Sequence, residues 1–363
     1  MSEPDPDTDS DSEESGTDPG SDPDTNSDPT DPGSGPDAES DSDTDPESAS
    51  SPPKPTSFRD FAPFFGMGAL FVAVPLFALA LVPTFVDAEL QATPNPEDPT
   101  NSLLYFGAIL VFTAFILFVV KRGVERILQA IILFAVATLT FYTLVAVVGL
   151  LLPETAVFDV AVTVADRVIR VNSVDIVAAV SAVAVAAAVG LYPEWYVIDT
   201  AGVLMGAAGA GIFGISFGIV PALLLLVVLA VYDAIAVYRT KHMLTLADGV
   251  MDLKLPVMFV VPRRAGYSFT ASEEELKEEG EHDALFMGLG DAVIPGILIA
   301  SAAHFIEVPL VENFAVFGAF VGAVVGFVLL MRKVAKGEPH AGLPLLNGGA
   351  IVGFLIGAYF VGQ

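Results

Sequence analysis

Two aspartates stand where carboxylates are least expected. Asp233 lies in "AVYDAIAVYRTKHM" at the end of the apolar run "PALLLLVVLA", and Asp291 lies in "MGLGDAVIPGILIASA". A charge buried in hydrocarbon is costly, and an ionisable group kept there marks a functional site by default. Two carboxyls held close together share one proton and titrate as a pair. Such a pair has the chemistry of aspartic proteolysis: one carboxylate takes a proton from water while its protonated partner polarises the peptide carbonyl. The structural alternative for either acid alone is a buried group bonded to a neighbouring helix. Gly288 and Gly290 beside Asp291 either pack helices closely or let a substrate backbone approach the acid.

Apolar runs long enough to span a bilayer occur near 62–82, 103–120, 127–152, 173–191, 197–212, 217–238, 284–303, 314–331 and 343–361. The stretch 200–231 is apolar throughout and as one helix would measure about 48 Å, too long for a hydrocarbon core of about 30 Å. The glycine-rich "GAAGAGIFGISFG" is therefore the expected turn between the fifth and sixth spans. With the N-terminus inside, nine spans place 14 of the 16 Lys and Arg residues on the cytoplasmic side, leaving Arg167 and Arg170 outside. Fusing the fifth and sixth spans would send the loop with Arg239, Lys241, Lys254, Arg263, Arg264 and Lys277 outward. The expected fold is thus an all-α polytopic membrane protein with nine transmembrane helices, a cytoplasmic N-terminus and an extracellular C-terminus.

That topology sets the depth of the two acids. Asp233 precedes Arg239 by six residues, about 9 Å of helix, and Asp291 follows Asp283 by eight, about 12 Å. Antiparallel sixth and seventh spans then carry one carboxyl each near the same cytoplasmic level.

Residues 1–57 differ in kind. Residues 1–50 hold 18 of the 44 acidic residues and no basic one, and the chain carries a formal charge of −28. Without bulky apolar residues this segment cannot offset its ordering entropy, so a disordered, solvating tail is expected before a membrane domain over 58–363. That domain comprises helices 1–6 over about 62–238, a loop at 239–283 and helices 7–9 over about 284–361. Acid-rich tail and loops suit a high-salt, halophilic cytoplasm. The sequence has no cysteine, which excludes disulfides, iron–sulfur clusters and cysteine nucleophiles.

Competing chemistries fare poorly. "GISFG" matches G-x-S-x-G at Ser216, but that motif needs a strand–turn–helix elbow and a partner base. His304 is the sole histidine within a span, while His242, His282 and His340 fall in loops or at helix ends. No H-E-x-x-H occurs, so zinc hydrolysis is unsupported. The glycines at 318, 322 and 326 and at 349, 353 and 357 recur every four residues, the pattern of close helix packing. A proton- or cation-coupled transporter would also use intramembrane acids, but the chain shows no matched pair of broken helices. A membrane scaffold is the remaining rival.

Tyr232-Asp233, Gly288-Leu289-Gly290-Asp291 and Pro344-Leu345-Leu346 resemble, in order, the YD, GxGD and PAL motifs of presenilin-type intramembrane aspartyl proteases. "YDAIAVYRTKHM" and "GLPLLNGGA" are most similar to the archaeal branch. Leu345 departs from the alanine usual in the third motif. The resemblance implies that Asp233 and Asp291 are catalytic and that Tyr232, Gly288, Leu289, Gly290, Pro344, Leu345 and Leu346 shape the site. It also implies single-span transmembrane helices as substrates, and neither metal nor organic cofactor. Signal peptide peptidases are similar at two of the motifs but carry the catalytic helices inverted; the distribution of basic residues favours the presenilin orientation.

The loop over 244–283 divides in two. Its end, "SEEELKEEGEHD", reads as a mobile solvated segment. Residues 257–261, within "LKLPVMFVVPRR", form a β-prone run between prolines, able to pair with an unwound substrate strand.

Overall fold

The computed structural model describes residues 58–122, 125–151, 159–164, 167–240, 258–263, 267–268, 284–336 and 341–361. The acidic segment 1–57 and most of the loop over 241–283, including "SEEELKEEGEHD", lie outside the described residues. Nine α-helices occur among the described residues: α1 (Phe58–Asp87), α2 (Thr100–Lys121), α3 (Glu125–Leu151), α4 (Ser173–Leu191), α5 (Trp195–Ser216), α6 (Ile219–Ile235), α7 (Leu289–Phe305), α8 (Phe314–Val334) and α9 (Leu343–Val361). Two antiparallel strand pairs accompany them: β1 (Asp159–Val164) with β2 (Arg167–Asn172), and β3 (Met258–Pro262) with β4 (Ala284–Gly288).

Among the described residues, seven helices are long and apolar enough to cross a bilayer; Thr100–Ile116 and Leu289–Phe305 are shorter apolar segments. Large apolar side chains such as Phe112, Phe134, Val180, Phe317 and Tyr359 point outward, and a bundle whose outer face is this apolar requires lipid around it.

Helix α5 is the centre of the bundle. The glycine-rich stretch is helical as far as Ser216, and its last two residues, Phe217–Gly218, make the expected break between the fifth and sixth spans. The physical reason is packing. A Cβ at Gly214 would meet the α7 backbone at Ala300 and Ser301, and one at Gly206 would press on Leu289 and Val293. These glycines let α7 lie against α5, so they serve contact along the helix instead of a turn within it. The break is secured elsewhere: Gly218 N–H donates to Pro96 O (2.8 Å), and Ser301 Oγ donates to Phe217 O (2.7 Å).

The glycine pattern of the last two helices is used as expected. Gly318, Gly322 and Gly326 of α8 meet the backbone at Gly353, Gly349 and Leu345 of α9, leaving no space for a Cβ. Around them lies one continuous core built from α1, α5, α6, α7, α8 and α9, with Phe71 stacked on Phe327 at 4.9 Å.

Two expected helix limits are corrected. The seventh span does not begin at residue 284: Ala284–Gly288 is strand β4, and α7 starts at Leu289. An apolar run of five residues carries no period that separates a strand from a helix, and β3 supplies the partner that decides it. Irregular or extended backbone at this depth is tolerated only where protein or a cavity surrounds it, and Leu285 and Met287 are buried in the core. The sixth span also changes character at its end, where Ala236–Thr240 forms a π-helical turn directly after α6. Such turns interrupt helices chiefly at functional sites.

Candidate active site

Asp233 sits in the last turn of α6, three residues before the π-helical turn, and is 8% exposed. Asp291 occupies the first turn of α7, immediately after β4, where a carboxylate is favoured by the N–H groups and dipole of the helix end. A helix from residue 284 would carry Asp291 about two turns inward; strand β4 instead puts it at a strand-to-helix junction. Asp291 nevertheless reaches the same short piece of backbone as Asp233.

The two acids converge on the start of α9. Leu343 N–H donates to Asp233 Oδ2 at 3.1 Å, and the Gly342 amide faces the same carboxylate. On its other side Gly342 abuts Asp291: a Cβ there would lie 3.3 Å from Asp291 Oδ2. Gly342 also starts the helix, its carbonyl accepting from Leu345 N–H (3.1 Å) and Leu346 N–H (3.2 Å). Glycine at 342 therefore permits the backbone to pass between two carboxyls, and its neighbour supplies a hydrogen-bond donor to one of them.

The remaining motif residues divide by role. Gly288 ends β4 and caps α7; a Cβ there would lie 3.5 Å from Asp291 Oδ2. Leu289 is buried against α5 near Gly206. Gly290 is exposed, and a Cβ at 290 would meet only Ile294, at 3.9 Å. Tyr232 does not share the face of Asp233; its ring packs edge-on against Phe106 of α2, centroids 5.8 Å apart. Leu345 is half-buried with its carbonyl against Gly326, so this contact involves its main chain. Leu346 is fully buried in the core.

Pro344 falls in the first turn of α9, where its missing N–H is not required by the helix. Its ring fixes φ directly after the residue whose N–H reaches Asp233. Pro344→Ala frees that torsion and adds a competing donor beside the acid. It is expected to leave membrane insertion and folding intact while lowering peptide cleavage about tenfold, or about 1.4 kcal/mol in the barrier. Full activity towards a saturating peptide would reduce Pro344 to a helix start.

Sequence reasoning passed over Gly342 and Leu343, which act through backbone atoms, and two buried polar side chains. Asn347 of α9 donates to Leu226 O of α6 at 2.9 Å, tying the helix of the third motif to the helix of Asp233. Asp199 of α5 accepts the Val260 N–H of β3 at 2.8 Å. Both carried a readable signal, a polar side chain inside an apolar span. Ser216 has other duties: its hydroxyl donates to Ile212 O (2.6 Å) and accepts from Ala92 N–H (2.7 Å), which leaves no poised nucleophile. Among the described residues, no cluster of three or more His, Asp or Glu could hold a metal ion.

A family profile described as signal-peptide peptidase, presenilin aspartyl protease matches residues 68–363. Two solved structures of a presenilin family intramembrane aspartate protease are similar to the chain. In a C222 crystal form the identity is 36% with a TM-score of 0.60, covering 82% of this chain and 99% of that one. In a P2 crystal form the identity is 37% with a TM-score of 0.58, covering 83% and 99%. No match is found among curated proteins. Neither finding supports the transporter alternative. With nine α-helices in order among the described residues and a profile match that covers all but the first of them in full, the chain belongs to the family of intramembrane aspartyl proteases that unites signal peptide peptidases and presenilins.

Proposed function

We propose that Asp233 and Asp291 are the catalytic pair and that the protein cleaves single-span transmembrane helices within the membrane. The observation that carries this reading is their convergence on one short piece of backbone, with Leu343 N–H on Asp233 and Gly342 against Asp291. In the reaction, a water between the carboxyls loses a proton to the ionised acid and attacks the peptide carbonyl. The protonated partner donates to the carbonyl oxygen, and the proton held by the first acid then passes to the leaving amine. The backbone donor at Leu343 holds Asp233 in place through this exchange. No metal or organic cofactor enters the scheme.

A helical substrate hides its carbonyls in its own ladder and must unwind locally first. The β3–β4 sheet, whose last residue lies three positions before Asp291, offers edge hydrogen bonds for such an unwound segment. This supports the role expected for 257–261, of which residues 258–261 are described. Gly288, Leu289, Gly290, Pro344, Leu345 and Leu346 then shape the site, and Tyr232 braces α6 against α2.

In the orientation that follows from the basic residues, the N-terminus is cytoplasmic and the C-terminus extracellular. The chain divides into an acidic tail over 1–57 and a protease domain over 58–363. The excess of acid, and the resemblance to the archaeal branch, fit a halophilic source.

The test is direct. Purified protein is mixed with an end-labelled transmembrane peptide, and cleavage is followed from pH 4 to 9, a range that spans about five units around ordinary carboxyl and imidazole values. A bell-shaped profile is expected, because catalysis needs one proton on the pair, neither none nor two. A flat profile from folded protein would sink the two-acid mechanism, and no cleavage at all would sink the function.

A further inference from the structure

A third acid lies inside the bundle, and the reaction scheme makes no use of it. Asp199 is four residues into α5, only 5% exposed, and accepts the Val260 N–H at 2.8 Å. It lines a cavity of about 480 Å³ between α1 and α5, together with Gly66, Leu70, Trp195, Thr200 and Val261.

Asp199 is one of three consecutive fastenings of β3. Phe259 is fully buried over Gly202 of α5, where a Cβ would come within 2.9 Å of the ring. Val260 is also fully buried, in a small apolar cluster with Ile198 and Ala284. Val261 lies over Gly66 of α1, again with room for no Cβ (2.9 Å). Apolar packing fixes the two flanking residues, while the backbone of the middle one needs a polar partner at this depth. Asp199 provides it.

The direction of that bond determines which edge of the sheet remains usable. In an antiparallel pair, alternate residues turn their N–H and C=O toward the partner and then away from it. Val260 pairs with Phe286 but gives its N–H to Asp199, so it is one of those turned away. Met258 and Pro262 share its phase, and Pro262 has no N–H at all. The outer edge of β3 is thereby spoiled for strand addition at two of three positions. Across the sheet, Ala284, Phe286 and Gly288 turn their backbone groups away from β3, along an edge that runs into Asp291.

We propose that Asp199 is a positioning residue for proteolysis: by holding Val260 N–H it anchors β3 to α5, closes that edge to pairing, and so fixes the register at which a substrate strand adds to β4. This rests on the protease reading above. A substrate strand one residue out of register presents a different peptide bond to the acids, so the anchor governs where the chain is cut as well as how fast.

The test compares Asp199→Leu and Asp199→Asn in the full-length protein. An end-labelled synthetic single-span peptide serves as probe, its products sized by mass spectrometry. Leucine removes the acceptor, and kcat/KM should fall about 10- to 100-fold, with cleavage spreading to neighbouring bonds. Asparagine keeps an oxygen that accepts the same N–H and should restore both the rate and the dominant product. Amide hydrogen exchange over 258–262 should speed up with leucine and not with asparagine. Should Asp199→Leu fail to fold, Asp199→Glu decides: it keeps the charge but moves the acceptor by one methylene, and a shift in cut position is expected. Unchanged products and rate in Asp199→Leu, asparagine as damaging as leucine, unaltered exchange, or unaltered cut position in Asp199→Glu would each overturn the proposal. Exchange is read without substrate. A wild-type protein that cuts no peptide therefore removes the protease reading, while unaltered exchange removes the anchor.

Discussion

Asp233→Asn and Asp291→Asn are each expected to lower kcat about 10³- to 10⁴-fold while leaving the helix bundle folded and inserted. Asparagine keeps the volume of aspartate, and at 233 it keeps an oxygen able to accept the Leu343 N–H, so the packing between α6 and α9 survives. What it loses is the ability to exchange a proton with water or with the peptide. Residues of a catalytic pair act as one unit, so under the proposed mechanism the double variant should be little worse than either single one. That non-additivity separates a catalytic pair from two independent structural acids, whose effects at distinct sites would add. The measurements are peptide cleavage, thermal unfolding in detergent and the double-mutant comparison. Retention of substantial cleavage by either single variant would remove that acid from the mechanism. Loss of folding in both would mark the pair as structural.

Gly322→Val should be almost as damaging, although Gly322 touches neither acid. A Cβ at 322 collides with the Gly349 carbonyl of α9, and neighbouring glycines at 318 and 326 leave the backbone no room to yield. Overpacking of this kind costs about 1–3 kcal/mol in ordinary cores, and more where the obstacle is main chain. The functional effect comes from leverage. Pushing α9 away from α8 moves Leu343, whose N–H holds Asp233, and Asn347, which ties α9 to α6. A displacement of about 1 Å at reacting groups is enough for roughly 100-fold in rate. Gly348→Ala is the control, since a Cβ at 348 meets nothing within 4 Å. The expected outcome is a lowered melting temperature and a loss of about 100-fold for Gly322→Val, with Gly348→Ala unaffected in both. Equal behaviour of the two variants would show that the α8–α9 contact does not position the site.

Much of the site was legible because a membrane makes polarity conspicuous. Against spans of Val, Leu, Ala and Phe, an aspartate is costly enough that its presence alone argues for use, and Asp233 and Asp291 stood out on that ground. The nine α-helices of the described residues were legible for the same reason, since segment length and apolar content are set by bilayer thickness. The four-residue glycine spacing in α8 and α9 announced a close contact and made one. Asp199 and Asn347 offered the same signal of polarity, but only the partners across the bundle, Val260 and Leu226, give them a purpose.

Other features had no local signature. "ALFMG" is apolar in every position, so helix and strand satisfy its sequence equally; pairing with β3, a strand 22 to 30 residues earlier in the chain, is a tertiary choice. The stretch 206–218 does hold the expected break, at Phe217–Gly218, but where in it the helix ends is not local: glycine is ambiguous between freedom and closeness, and the presence of α7 against Gly206 and Gly214 keeps those two helical. Gly342 and Leu343 contribute an absent side chain and a backbone N–H, neither of which residue chemistry can advertise. Sequence thus determined which acids and which helices this protein has, because burial energies in a membrane are properties of residue types. Tertiary structure alone decided how the acids meet, because hydrogen bonds and close approaches depend on which backbone lies opposite.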